Sequence, residues 1–539
     1  MPGPERPLPA APAWWQRGAI YQIYPRSFAD ANGDGVGDLR GIVAHLDHLN
    51  DGTPASLGVE ALWLSPFYRS PMADYGYDVS DYCDVDPLFG TLADFDLLVA
   101  EAHARGIRVV VDFVPNHSSD RHPWFAESRS SRDNPRRDWY VWRDPAPGGG
   151  PPNDWVSAFR AVGRAWTLDE ATGQYYLHSF MPQQPDLNWD NPDVEAAVHD
   201  AMRFWLDRGV DGFRLDVVHK IAKDPELRSN RGSDHVHHED WQPTIHERVR
   251  GLRRVVEEYG PDRMLVGETY LFDLHRLLAY VNTGDELHLA HNFTFVHLPW
   301  DAAAFRENVD GWEAAATDVA WPAWFLSNHD HPRTASRFDD PPGLGPARAR
   351  AVLLLLYALR GTPFVYQGEE LGLPDAEIPP ERVVDVDGRD PERAPIPWAP
   401  PSSAGRGAGF TDAEPWLPLI GDAERLNVAT ERDDPASALS LARRLAWLRR
   451  AEPALQVGGQ RSFDAGPDLL AWVRALNGAA WVAVVNFAAR ERAVAAPRDL
   501  PARGVLAVST VHGRAEEGGE VALDGLALAA GEAVLVRLD

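Results

Sequence analysis

Three short segments put acids and bases where an acetal can be broken: GFRLD at 212–216, GET at 267–269 and SNHD at 327–330. Each closes or follows a short apolar run that reads as a buried strand. Three carboxylates (Asp216, Glu268, Asp330), a guanidinium (Arg214) and an imidazole (His329) would then gather at one end of one sheet. In Phe213-Arg214-Leu215-Asp216 the arginine and the aspartate are two apart, so on a strand they share a face. A guanidinium there is expected to favour the ionised carboxylate and lower its pKa, which suits a nucleophile. Glu268 ends the run Met264-Leu265-Val266-Gly267 among other acids, the setting of a carboxyl that keeps a proton to give away. One proton donor beside one nucleophilic carboxylate is the requirement for glycoside hydrolysis, and their separation decides the stereochemical course. His329 and Asp330 would hydrogen-bond sugar hydroxyls. Asp112, Asn116 and His117 stand at a similar strand end upstream, with His117 facing a hydroxyl and Asp112 positioning Arg214.

Eight strands are needed to place these ends together. Apolar runs alternate with helical patterns at 19–24, 61–65, 108–114, 212–217, 264–268, 291–295, 324–327 and 363–367. Helices such as 92–104 and 194–208 precede the third and fourth runs. This βα alternation predicts a (β/α)8 barrel, whose active sites sit at the C-terminal ends of the strands. From 118 to 185 the chain is polar, Trp-rich and punctuated by PAPGGGPP. That is too long for a βα loop, so an inserted subdomain is expected over the barrel mouth. The expected organisation is a loose tail at 1–13, a barrel from 14–117 and 186–456 with an irregular loop subdomain at 374–435, and the insertion at 118–185. A C-terminal antiparallel β domain at 457–539 completes it.

Bulk properties exclude several partners. With 539 residues and a formal net charge of −28, the chain repels nucleic acid and anionic membranes and suits a neutral small-molecule substrate. The longest apolar run, 351–359, is about half the ~18–20 residues a bilayer span needs. The first dozen residues lack the basic-then-apolar layout of a secretory signal. A single cysteine, Cys83, rules out an intrachain disulfide. A cytoplasmic monomer or small homo-oligomer is expected. Separately, Asp30-Ala-Asn32-Gly-Asp34-Gly-Val36-Gly-Asp38 alternates oxygen side chains with glycines, like the first half of an EF-hand loop without its distal Glu. A structural hard cation is expected there, and no organic cofactor.

DFVPNH, GFRLD, GET and SNHD together resemble the four signature regions of the α-amylase superfamily (glycoside hydrolase family 13), in order and at similar spacing. QPDLNW at 184–189, the NGDGVGD loop and the opening IYQIYPRSF resemble its oligo-1,6-glucosidase and α-glucosidase branch. The likeness runs from about residue 14 to 486. It implies Asp216 as nucleophile, Glu268 as acid/base and Asp330 as transition-state stabiliser. Asp74, Tyr77, His117, Arg214, His329 and Arg393 would line the pocket for a terminal glucose. Arg393 stands in GRDPERAPIPW, which departs from the family's usual RTPMQW, and Arg389 four residues earlier fits the same place. The family's loop cation, calcium or magnesium, would fall on Asp30, Asn32, Asp34, the carbonyl of Val36 and Asp38. The resemblance therefore implies a retaining, exo-acting α-glucosidase with transglucosylation as a side activity. The alternative is a transferring or isomerising relative such as a trehalose synthase or sucrose isomerase, although the sucrose-isomerase pattern RLDRD is absent. Valine after the nucleophile, here Val217, goes in that branch with tolerance of α-1,6 bonds.

Overall fold

Short, almost wholly apolar strands build the core because they are buried on both faces, helices outside and packed side chains within. The structure, a computed structural model, describes residues 12–230 and 237–538. The expected N-terminal tail up to residue 11, and the last residue of the C-terminal domain, lie outside the described residues. The strands are β1 Ile20–Ile23, β2 Ala61–Leu64, β3 Arg108–Phe113, β4 Gly212–Leu215, β5 Met264–Gly267, β6 Leu289–Ala290, β7 Ala323–Trp324 and β8 Thr362–Tyr366. They pair in parallel in the order β6-β5-β4-β3-β2-β1-β8-β7. A parallel bridge between His291 and Ala323 joins the two ends and closes the barrel.

Alternation along the strands sorts their side chains into two layers. Ile20, Ala61, Trp63, Val110, Met264, Val266, Leu289, Ala323 and Phe364 form the inner cluster. Their strand neighbours Tyr21, Leu62, Val109, Val111, Phe213, Leu265 and Val365 join the outer cluster against the helices. Gly212 opens β4 opposite Met264, where a Cβ would stand 2.4 Å from the Met264 carbonyl oxygen, so only glycine lets the two strands close.

Capping fixes the helices around this ring. Thr91 accepts from the backbone of Asp94 and Asp94 answers to the Thr91 amide, opening helix Leu92–Ala104. Asn191 caps Pro192–Asp207, which carries the buried Trp205. The sixth strand is displaced from its expected place at 291–295. It ends at Ala290, because Asn292 accepts from the Phe295 amide and starts a helical turn, Phe293–Val296. Between β3 and β4 lie helix Pro123–Ser130 and a three-stranded antiparallel sheet of Trp142–Arg143, Trp166–Asp169 and Gln174–Leu177. After helix Ala438–Ala451 comes a six-stranded antiparallel sheet running from Gly459 to Leu538, with its own apolar core around Val482, Val484, Leu506 and Val534.

Candidate active site

The inward parity that fills the barrel continues past its apolar layer into polar side chains. Two residues beyond Ile20 is Gln22, beyond Val110 is Asp112, beyond Gly212 are Arg214 and Asp216, and beyond Val266 is Glu268. Five polar groups thus emerge at one end of the barrel from four strands, all of them buried.

Arg214 organises them. One guanidinium nitrogen donates to Asp112 Oδ1 and Asp216 Oδ1, both at 2.8 Å, and the other donates to Glu268. Val217, directly after Asp216, has φ +36°, a left-handed conformation costly for a β-branched residue. That turn aims the Val217 amide at Glu268 Oε2, 3.1 Å away. Asp112 is held from its other side by Trp63 Nε1 at 3.2 Å and the Tyr77 hydroxyl at 3.1 Å.

A second arginine pair holds Asp330. Arg389 donates to Asp330 Oδ1 at 3.0 Å and to Asp74 Oδ1 at 2.8 Å, and Arg393 donates to the same Asp330 oxygen at 2.8 Å and to the His329 carbonyl at 2.7 Å. Asp385 accepts from Arg389 at 2.6 Å and lies 3.5 Å from Arg393, so it fixes both guanidinium planes. His329 sits between Gln22 Nε2 at 2.7 Å and the Tyr77 hydroxyl at 2.6 Å, and its Nε2 is 3.0 Å from Asp330. From the inserted segment, Gln184 Nε2 donates to Asp74 at 2.9 Å and stands 3.2 Å from His117 Nε2. Below it, Lys223 pairs with the buried Asp186 at 3.0 Å and donates to Asn116 at 2.9 Å.

The structure therefore brings Asp74, Tyr77, His117, Arg214, Asp216, Glu268, His329, Asp330 and Arg393 into one connected polar cluster. Gln22, Trp63, Gln184, Arg389 and Asp385 belong with them. Arg389 touches more of the site than Arg393, reaching both Asp74 and Asp330. The parity of Gln22 with Ile20 was available in the sequence as a signal; nothing in the local pattern marked Asp385.

The electrostatics depart from one expectation. Asp216 was to be lowered by Arg214, but burial pushes its carboxyl well up, Arg214 pulls against this, and Glu268 and Asp112 add to the rise. One guanidinium faces three carboxyl groups and does not offset the burial and mutual repulsion that raise Asp216 and Asp112. Asp112 is likewise pushed up by burial, to about 7, despite Arg214. Asp330 behaves oppositely: burial raises it, but His329, Arg389 and Arg393 together hold it far below the usual carboxylate range. Burial lowers His117 to about 4 and His329 well below its ordinary value, so both imidazoles are neutral at pH 7.

The first loop carries its oxygens as expected, and they are already engaged. Asp30 accepts from the amides of Asn32, Gly33 and Gly35, Asn32 from Asp34, and Asp34 from Val36. Asp38 is buried, accepting from Ala31, Asn32 and, as a helix N-cap, Gly41. Among the described residues no three or more His, Cys, Asp or Glu side chains stand together as a metal site. Asp30 is as fully spent on backbone amides as Asp38, and the alternation at 30, 32, 34 and 38 is that of a hard-cation loop.

Comparison with known proteins agrees with this geometry. Residues 22–458 match the model of the α-amylase catalytic domain. The chain is 43% identical to a probable α-glucosidase of Rhizobium meliloti (strain 1021) over 86% of this chain and 87% of the relative. It is 38% identical to an oligo-1,6-glucosidase of Parageobacillus thermoglucosidasius over 88% and 90%. Among solved structures, an α-glucosyl transfer enzyme superposes with a TM-score of 0.88 at 39% identity, covering 98% of this chain and all of that one.

Proposed function

The chain belongs to the α-amylase family, and we propose that it is a retaining, exo-acting α-glucosidase working through a covalent glucosyl-Asp216 intermediate. The observation that carries this is the bridging of Asp216 and Glu268 by the two arms of Arg214. Inverting enzymes hold their carboxyl groups roughly 6.5–9.5 Å apart to admit a water, whereas retaining ones bring them to about 5 Å. Carboxyls held on adjacent nitrogens of one guanidinium stand close together, which supports the retaining course.

The reaction needs one proton on this pair of carboxyls. When substrate enters, that proton lies on Glu268, and Asp216 is left as the carboxylate that Arg214 supports. Glu268 protonates the leaving oxygen as Asp216 attacks the anomeric carbon. Glu268, now a carboxylate, takes a proton from water, which displaces Asp216 and releases α-glucose. A sugar hydroxyl in place of water gives transglucosylation. Asp330, kept ionised by its two arginines, faces the cationic ring of the transition state. Asp74, His117, Arg389, Tyr77 and His329 grip the terminal glucose, and the Asp74–Arg389 pair closes the far end of the pocket, which supports exo action.

The substrate is a short α-glucoside. Val217 beside the nucleophile supports tolerance of α-1,6 as well as α-1,4 bonds. The proposal includes a structural calcium or magnesium ion on the first loop, supported by Asp30, Asn32 and Asp34 and taking no part in the reaction; a cation-dependent melting temperature would test it. It also places the enzyme in the cytoplasm as a monomer or small homo-oligomer, consistent with the single cysteine. Among the described residues no helix is long and apolar enough to cross a membrane. A second reading, glucosyl transfer as the main activity, is favoured by the likeness to the transfer enzyme. Product analysis on maltose and isomaltose separates them: glucose as the main early product supports hydrolysis, and a longer or isomeric saccharide contradicts it.

A further inference from the structure

A neutral imidazole carries its proton on one of two nitrogens, and the partner of one nitrogen decides the state of the other. Burial and the surrounding guanidinium groups keep His329 neutral. Its Nδ1 lies 2.7 Å from Nε2 of Gln22, on β1, and that same amide nitrogen donates to Ser65 Oγ at 3.1 Å. An amide nitrogen has two protons and no lone pair to offer, so both protons are engaged here and Nδ1 is the acceptor. The His329 proton therefore sits on Nε2, which faces the Tyr77 hydroxyl at 2.6 Å and Asp330 Oδ2 at 3.0 Å. Tyr77 in turn gives its single hydroxyl proton to Asp112 Oδ2 at 3.1 Å. Donation runs one way, from Gln22 through His329 and Tyr77 to Asp112, whose other oxygen holds Arg214 at 2.8 Å.

The reverse orientation of the Gln22 amide fails on its neighbours. Its oxygen would take a proton from Nδ1 and leave an Nε2 lone pair against Asp330, an anion already bound through Oδ1 by Arg389 and Arg393. Tyr77 would then have to turn its proton away from Asp112 and toward His329. The rings of Tyr77 and Tyr24 lie near-parallel to the imidazole, with centroids 5.4 and 5.8 Å away, and fix its plane. We propose that Gln22 is a positioning residue: it sets the tautomer of His329 and thereby gives Asp330 a third donor beside its two arginines. The kinetic consequence rests on the reaction proposed above, whereas the place of the proton does not.

Imidazole nitrogens with and without a proton resonate far apart, so nitrogen NMR of histidine-labelled protein reads the tautomer, with His329→Asn identifying the signals. At pH 7 the unaltered enzyme should show a protonated Nε2 and a bare Nδ1 at His329; the opposite pattern overturns the inference. In Gln22→Met, similar in length but without the donor, the Nδ1 signal should move toward that of an unpartnered lone pair. An unmoved signal overturns the inference as well. In Gln22→Glu the new carboxylate draws a proton to Nδ1, and kcat/KM on maltose should fall on the order of 10²-fold, the scale of one lost donor at developing charge. Nδ1 still bare in that variant, or a rate within twofold of the unaltered enzyme, shows that Gln22 does not govern His329. Absence of glucose release from maltose by the unaltered enzyme overturns the proposed reaction instead, and the two spectroscopic comparisons then decide the inference alone.

Discussion

The carboxyls of Asp216 and Glu268 hang from the two arms of one guanidinium, that of Arg214. Acid and nucleophile are thereby held on one anchor and aimed at the same acetal, and the chemistry follows from that placement.

Asp112 makes the cost of this cluster measurable. Burial pushes its carboxyl up to about 7 in the folded chain, against about 3.9 unfolded. The folded state therefore binds more protons between those values, and this group's contribution to stability declines as pH rises from about 4 to 7. The difference in stability between Asp112→Asn and the unaltered protein should rise across that window and level off above it. A difference independent of pH contradicts the account; urea unfolding at several pH values reads it.

The buried Lys223–Asp186 pair under the mouth should show the opposite sign. Burial raises the Asp186 carboxyl, but Lys223 and the Ser179 hydroxyl outweigh this and hold it at about 2. Its stabilisation is present above the unfolded value of about 4 and lost as pH falls through 2. Asp186→Asn, which strands Lys223, should cost on the order of 3 kcal/mol at pH 7. That deficit should shrink below pH 4, and thermal unfolding at pH 7 and pH 3 makes the comparison.

Arg389 reaches Asp74, Asp330 and Asp385 at once through a planar fork. Lysine offers a single point charge and cannot span the three. Arg389→Lys should lower kcat/KM on a short α-glucoside on the order of 10²-fold, the scale of a one-ångström misplacement. Steady-state rates within twofold of the unaltered enzyme would show that the fork is not needed.

Val217 sits strained between nucleophile and acid/base, with its amide on Glu268. Val217→Thr should shift the ratio of kcat/KM for maltose over isomaltose upward by about tenfold, within the 1–3 kcal/mol one side chain commands. An unchanged ratio would remove this residue from linkage selection.

The chain's apolar runs disclosed six of the eight barrel strands within a residue or two, while the seventh, expected at 324–327, is the shorter Ala323–Trp324. Isolated β-branched and aromatic runs before acidic residues are hard to read any other way. The sixth was misplaced because Asn292, an N-cap, turns His291–Phe295 from apparent strand into the start of a helix. Arg214, Asp216 and Glu268 were legible because they stand at or just past a strand end at a fixed parity, and Asp330 because SNHD marks it, although it lies in a turn beyond Ala323–Trp324. Asp385 was not, since its role depends on a loop that returns to the site from far along the chain. The direction of the Asp216 shift was misread for a related reason: the sequence shows one arginine two residues away, but not the burial and the other carboxyls that share it.

Trapping of the intermediate tests the central claim most directly. Glu268→Gln, given α-glucosyl fluoride and quenched in acid, should yield one peptide heavier by a single glucosyl unit, with the label on Asp216. A label on another residue, or β-glucose as the first product with no labelled peptide, would contradict it.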